Sequence, residues 1–363
     1  MNGYFCATPF HITAAITMQS GMFADEDGML ILLNHFGADE ALVERIRSTG
    51  VFKEILVIEN DYRTLWGNVK RALNVFFPVK PMRFVANKTA FSRFVCFALD
   101  YMDLAYIMQR YRRRGIDCAF SFGDDGIGTY IAEGIFKPKD IAAKLLRLCG
   151  RLDELSRVTR VYAYKPAFMV ANTAYDVQPI LQTEEACRCR REAVCTIWPL
   201  EERPPIDGGI LYFEQPNEED KDNADQAIEQ AALAKATATL DTHAVVKMHP
   251  RSLEEEAWRA FEVLKTKMPY EVMLLQQQCA PAMMMTVSST ALFSTYLFDD
   301  LVAATCPSVL LYRQMVHVNT VQAAALDELV ERINAASDNP CIFAPKTAAE
   351  LEALLNSIRG DAR

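Results

Sequence analysis

The chain has 363 residues, 51% hydrophobic and 23% charged, with a formal net charge of -9, which is enough material for two domains with separate cores. The negative balance argues against general nucleic-acid binding and leaves room only for local basic clusters. No apolar run approaches the ~20 residues needed to cross a bilayer, and no basic segment precedes a long apolar run at the start, so no secretion signal is expected.

The first part of the chain alternates strands and helices at the βαβ rhythm. Residues 3–7 read as a strand ending at Thr8-Pro9-Phe10-His11, ahead of a helix over 12–18. A strand over 29–33 leads to a helix over 38–47, and a strand over 52–58 to a helix over about 63–75. A further strand is expected over 79–85, then a long apolar helix over 94–110. Residues 118–122 read as a strand that stops at Gly123-Asp124-Asp125-Gly126, with a helix beginning over 129–134. From 136 to 200 the pattern loosens into a basic helical stretch over 137–155 and extended segments over 158–163 and 168–171. Glu201 to Gly209, with its charges, two prolines and two glycines, is the clearest linker.

After the linker the alternation restarts. A strand over 210–213 ends at Glu214-Gln215-Pro216, and a helix covers 223–234. Val245 to Met248 is a short buried-strand pattern. Pro250 holds His249 extended at its end, and the acidic stretch from Ser252 reads as a helix capped by that serine, with Glu255 three residues on. Residues 271–275 read as the next strand, and Met283 to Val287 as another, running into Ser288-Ser289-Thr290 at the start of a helix. Segments 301–304 and 309–312 close the sheet, and 326–333 and 348–358 are terminal helices. The expected division is 1–203 and 204–363. The ten cysteines are scattered and lie mostly in apolar runs, which favours reduced thiols in a cytoplasmic chain.

Two strand ends carry the chemistry of a phosphate site. His249 sits at the carboxyl end of its strand, where open α/β sheets bind ligands. Ser288 or Ser289 can cap the following helix, whose free N–H groups point outward at the positive end of its dipole. A lone His-Pro or Ser-Ser-Thr is usually only a loop or a cap; together they outline a cradle. No Gly-x-Gly-x-x-Gly opens a helix, and no Walker motif is present. Asp124 and Asp125 end a strand in the first half and admit two functional readings, metal ligands or a general base, beside a plain capping turn.

Gly123-Asp124-Asp125-Gly126, Lys247-x-His249-Pro250-Arg251 and Ser288-Ser289-Thr290, in this order, resemble three short motifs of bacterial sialyltransferases. The opening Ala7-Thr8-Pro9-Phe10-His11 and the Glu214-Gln215-Pro216 turn are most similar to glycosyltransferase family 52, the lipooligosaccharide sialyltransferases. The resemblance implies an α/β fold of GT-B type, with two Rossmann-like domains facing a central cleft, the first on the acceptor side and the second binding the nucleotide sugar. It implies inverting transfer from CMP-sialic acid to a sugar hydroxyl of a surface glycan, without metal or other cofactor. Asp125 would then be the base, with Asp220 its rival. His249 would contact or protonate the phosphate, Lys247, Arg251, Ser288, Ser289 and Thr290 would bind the donor, and Glu271 would hold the ribose. Thr8, Pro9, Asp124 and Gly126 would line the acceptor side. The family also contains glucosyltransferases, so a UDP-sugar is the alternative donor, and an inactive nucleotide-sugar-binding scaffold is a second alternative. The basic clusters Arg110 to Arg114 and Arg188 to Arg191 are ordinarily solvated faces; in an enzyme acting on lipid-linked glycans they would rest on the anionic inner face of a membrane. A second copy of the chain is the other partner considered.

Overall fold

Strand β1 (Asn2–Cys6) is buried along its whole length, because it lies inside a parallel sheet covered on both faces. The computed structural model describes residues 1–34, 36–59, 78–97, 101–131, 140–170, 174–199, 206–215, 223–249, 255–264, 266, 268–276, 280–301, 306–316, 320–337 and 341–361. The chain divides into two units, Met1–Pro166 with Asn172–Pro199, and Ala167–Ala171 with Leu200–Arg363.

In the first unit β1 is followed by α1 (Pro9–Gly21), β2 (Gly28–Asn34), α2 (Glu40–Ser48) and β3 (Glu54–Glu59). Next come α3 (Lys80–Lys88), β4 (Arg93–Cys96), α4 (Tyr101–Arg114), β5 (Ala119–Phe122) and α5 (Ile127–Ile131). The unit is completed by α6 (Asp140–Leu148), α7 (Leu152–Leu155), β6 (Arg160–Ala163), β7 (Asp176–Pro179) and α8 (Glu184–Ile197). The strand order is β3-β2-β1-β4-β5-β6-β7, and every pair is parallel. One core gathers Phe5, Ile31 and Phe94 from the strands with Met82, Val85 and Ala86 of α3, Leu104 and Ile107 of α4 and Leu146 of α6.

The second unit runs β8 (Ile210–Phe213), α9 (Asn223–Leu240), β9 (Ala244–Lys247), β10 (Glu262–Leu264), α10 (Tyr270–Leu275) and β11 (Met283–Thr286). It continues with α11 (Thr290–Leu297), β12 (Ser308–Leu310), α12 (Thr320–Ala335), β13 (Ile342–Phe343) and α13 (Ala348–Asp361). Its order is β10-β9-β8-β11-β12-β13, again parallel throughout. Both sheets therefore start in the middle and reverse direction once, the first between β1 and β4 and the second between β8 and β11. These are the crevices in which open α/β sheets hold ligands.

Several expected elements differ. Residues 79–85 are the start of α3: Pro81 suits a first helical turn, and Met82, Val85 and Ala86 recur at helical spacing. The long helix expected over 94–110 is a buried strand, β4, followed by α4, since short apolar runs have no distinguishing period. Gly150, at φ +63°, separates α6 from α7 within the single basic stretch expected over 137–155. The segment 168–171 is described only to 170 and opens with a 3-10 turn, Pro166–Phe168; the neighbouring strand is β7. Residues 271–275 are helical rather than extended. The helix expected from Ser252 is, in its described part, a 3-10 turn at Glu255–Trp258 leading to β10. The helix expected over 63–75, the cap at Ser252, the stretch from Glu201 to Pro205 and residues 302–304 of the expected strand lie outside the described residues.

Candidate active site

At the switch point of the first sheet, Thr8 ends the turn after β1 and caps α1 by accepting the His11 N–H at 3.2 Å; Pro9 occupies the first turn. This cap brings the His11 ring back over the carboxyl end of the sheet. Its Nδ1 accepts the Ala7 N–H at 3.1 Å, so in the neutral ring the proton lies on Nε2, which donates to Asp125 Oδ1 at 2.6 Å. Phe97, the residue after β4, stacks on the His11 ring with centroids 5.8 Å apart and planes at 26°. Two strand ends thus lock the imidazole, which is 3% exposed, whereas the Asp125 side chain is 31% exposed.

Asp125 is held by its backbone as well, its N–H donating to Thr129 Oγ1 at 2.8 Å. Its second carboxylate oxygen has no hydrogen bond to a described residue. Asp124 has the opposite environment: it is fully buried. Tyr130 Oη (2.5 Å) and the Tyr164 N–H (3.0 Å) donate to its Oδ2, and the Gly126 N–H (2.9 Å) donates to its Oδ1. Burial pushes its carboxyl up to about 6, against the pull of those donors. With both oxygens committed internally, Asp124 organises the turn and has no surface to offer an acceptor. Gly126 at φ +85° closes that turn in the left-handed region.

At the switch point of the second sheet, Gln215 follows β8 and Ser288 follows β11, and Ser288 Oγ donates to Gln215 Oε1 at 3.3 Å across the crevice. Ser289 is the cap of α11, accepting the Ala291 N–H at 3.3 Å, and Thr290 is the first helical residue. His249 follows β9, and its N–H donates to Glu214 Oε2 at 2.8 Å. Lys247, the last residue of β9, is 6% exposed; burial lowers its ammonium pKa, with Glu271 opposing. Burial likewise raises the Glu271 carboxyl, which accepts Ser294 Oγ at 3.2 Å and is drawn back by Lys247. The structure thus groups Lys247, His249, Glu271, Ser288, Ser289 and Thr290 along one edge of this unit. Arg251 and Asp220 lie outside the described residues.

The residue that sequence reasoning left out of the site is His11. A signal existed, since it comes soon after a strand end, as His249 does, but its partner is 114 positions away. Among the described residues, no three His, Cys, Asp or Glu side chains converge as metal ligands.

No family model matches the chain, and no curated protein matches it. Among solved structures, it is similar to Phytolacca americana UGT2 complexed with UDP-2fluoro-glucose and pterostilbene, with a TM-score of 0.50 at 8% identity, covering 99% of this chain and 88% of that one. Spinosyn rhamnosyltransferase SpnG complexed with thymidine diphosphate gives 0.49 at 9% identity, covering 99% and 91%. Acinetobacter baumannii MurG gives 0.45 at 11% identity, covering 99% and 90%. Likeness at such identities speaks for architecture. The chain has an α/β fold of GT-B type, two Rossmann-like domains in succession.

Proposed function

We propose that this protein is a glycosyltransferase that moves a hexosyl group from a UDP-sugar to an acceptor hydroxyl. The observation that carries the reading is the His11–Asp125 pair at the switch point of the first sheet. His11 keeps its proton on Nε2 while Ala7 occupies Nδ1, so it positions the carboxylate and does not itself take a proton. Asp125 accepts the acceptor's proton on its open oxygen, the hydroxyl oxygen attacks the anomeric carbon, and the bond to the nucleotide breaks with its electron pair passing to the phosphate. The second edge suits the donor: the amides of the Ser289-capped helix, the Ser288 hydroxyl, His249 and Lys247 are groups that stabilise the leaving phosphate. Glu271 is assigned to the ribose hydroxyls. The choice of UDP is supported by the likeness to the UGT2 complex, whose donor analogue is UDP-2fluoro-glucose.

A second reading keeps the same base and cradle with CMP-sialic acid as donor. It is favoured by the ordered motifs at Gly123–Gly126, His249-Pro250 and Ser288–Thr290, with the second acid of the pair the accessible one. The deciding experiment is nucleotide release from UDP-glucose, UDP-galactose and CMP-sialic acid, with and without acceptor. Release from a UDP-sugar, abolished in Asp125→Asn, is expected. Release from CMP-sialic acid alone would transfer the assignment to the second reading, and no release from any donor would leave a nucleotide-sugar-binding scaffold.

A further inference from the structure

The two basic clusters of the sequence have different surroundings in the fold. On α8, Arg188 is bracketed by Glu185 at 2.6 Å and Glu192 at 2.7 Å, and Arg190 is fully buried, reaching Gln182 at 3.1 Å. Arg188 is thus neutralised and Arg190 interior. On α4 the reverse holds, and its neighbours add to the charge. Arg110 donates to Asn87 Oδ1 at 2.6 Å and Arg114 to the Ala86 carbonyl at 2.9 Å, which ties α4 to α3 without consuming a charge. On the other flank Gln109 of α4 accepts Arg151 at 3.1 Å, in the turn between α6 and α7. The three helices α3, α4 and α6 form one layer over the same core.

Eight cations of this layer make no ion pair with a described residue: Lys80, Arg83, Lys88, Arg110, Arg113, Arg114, Lys144 and Arg147. Against them the three helices carry two acids, Asp103, which is buried, and Asp140 at the start of α6. In a chain of net charge -9 this is a local reversal of sign. Two large apolar side chains stand exposed within it, Phe84 at 50% and Leu148 at 74%. Isolated exposed apolar residues are ordinary; flanked by cations on adjoining helices, they match the chemistry of an anionic lipid surface, with headgroup charge outside and hydrocarbon beneath. The cations are spread across three helices instead of converging on one cavity, which suits a surface and not a single small anion.

We propose that the α3–α4–α6 layer is a docking face for an anionic membrane surface. The attachment is peripheral, since no described helix is long and apolar enough to span. The proposal does not depend on glycosyl transfer. Co-sedimentation with phosphatidylcholine vesicles, with and without phosphatidylglycerol, tests it. The intact protein should sediment only with the anionic vesicles and be released by high salt. Each cation removed from the face should weaken binding about 5-fold, so Arg83→Gln, Lys88→Gln and Arg113→Gln together should weaken it about 10²-fold. Phe84→Ser should weaken it further at low salt, where the intact protein is bound. Arg188→Gln, at the neutralised arginine of α8, should change nothing, and circular dichroism and melting curves confirm that each variant is folded. Equal binding to neutral vesicles, no binding to anionic ones, or unaltered binding by the triple variant would overturn the proposal. So would an acidic polypeptide that displaces the protein from vesicles at equal charge concentration, which would make the partner a protein.

Discussion

Asp124 and Asp125 are neighbours in sequence with unlike surroundings, and the difference predicts unlike phenotypes. Asp125→Asn keeps size and much of the hydrogen bonding but loses basicity. It should lower transfer by ~10²–10⁴ while leaving nucleotide affinity, read by calorimetry, unchanged. Loss of nucleotide binding instead would place this carboxylate at the donor. Asp124→Asn should cost less turnover and report on stability. The folded Asp124 carboxyl titrates near 6, above its ordinary 3.8, so between those values the folded protein holds more protons than the unfolded one. Its contribution is full below the lower value and is lost as pH rises through the upper one, by about 3 kcal/mol at most. Urea unfolding across this window should show that decline in the natural protein and a flatter profile in Asp124→Asn. An unchanged slope would mean that another group carries it.

At the scale of elements, the turn after β5 and the end of β4 are fitted to each other. A Cβ on Gly123 would lie 2.3 Å from the Phe97 ring, and that ring is the one stacked on His11. Gly123→Ala should therefore destabilise by roughly 1–3 kcal/mol and impair transfer, and Phe97→Leu in the same chain should restore part of the melting temperature. On the second sheet, Ser288→Ala with Ser289→Ala removes the bridge to Gln215 and the α11 cap. It should cost about 1 kcal/mol of stability and weaken nucleotide binding; unchanged affinity would return both serines to plain capping. The parts of this site legible in the sequence are those marked by punctuation at strand ends: the glycines around Asp124 and Asp125, Pro250 beside His249, and the hydroxyls of Ser288–Thr290. The pairing of His11 with Asp125 was not legible, because it depends on the order β1-β4-β5 and no local pattern encodes that order. Short strands such as β7, β10 and β13 escaped for a related reason: two to four residues at or near a sheet edge carry too little alternation to stand out.

At the scale of the molecule, the GT-B type architecture provides a switch-point crevice in each of two sheets, one furnished with a partly exposed carboxylate and one with hydroxyls, helix amides and a buried lysine. Among the described residues, both oxygens of Asp124 are committed to Tyr130, Tyr164 and Gly126 and one of Asp125 to His11, which leaves a single carboxylate oxygen of this pair open. Turnover should accordingly survive excess EDTA. Abolition by chelation, reversed by Mg²⁺ or Mn²⁺, would make Asp125 a metal ligand.

The first domain is interrupted: residues 167–171 group with the second unit before the chain returns for 172–199. That late segment contains β7 and α8, and α8 covers α1: Arg190 reaches back to Thr17, while the Ile197 carbonyl accepts Arg45 of α2. On a ribosome the sheet β3-β2-β1-β4-β5-β6 would thus be complete in sequence some thirty residues, roughly 2–7 s of synthesis, before the helix that packs on α1 exists. During that interval Thr17 and Gly21, which lie against Arg190 and Ala186 of that helix in the finished protein, belong to a nascent chain that has not yet been given its cover. A fragment ending at Pro166 would hold this state permanently, and its fate would be aggregation or chaperone capture rather than a working half.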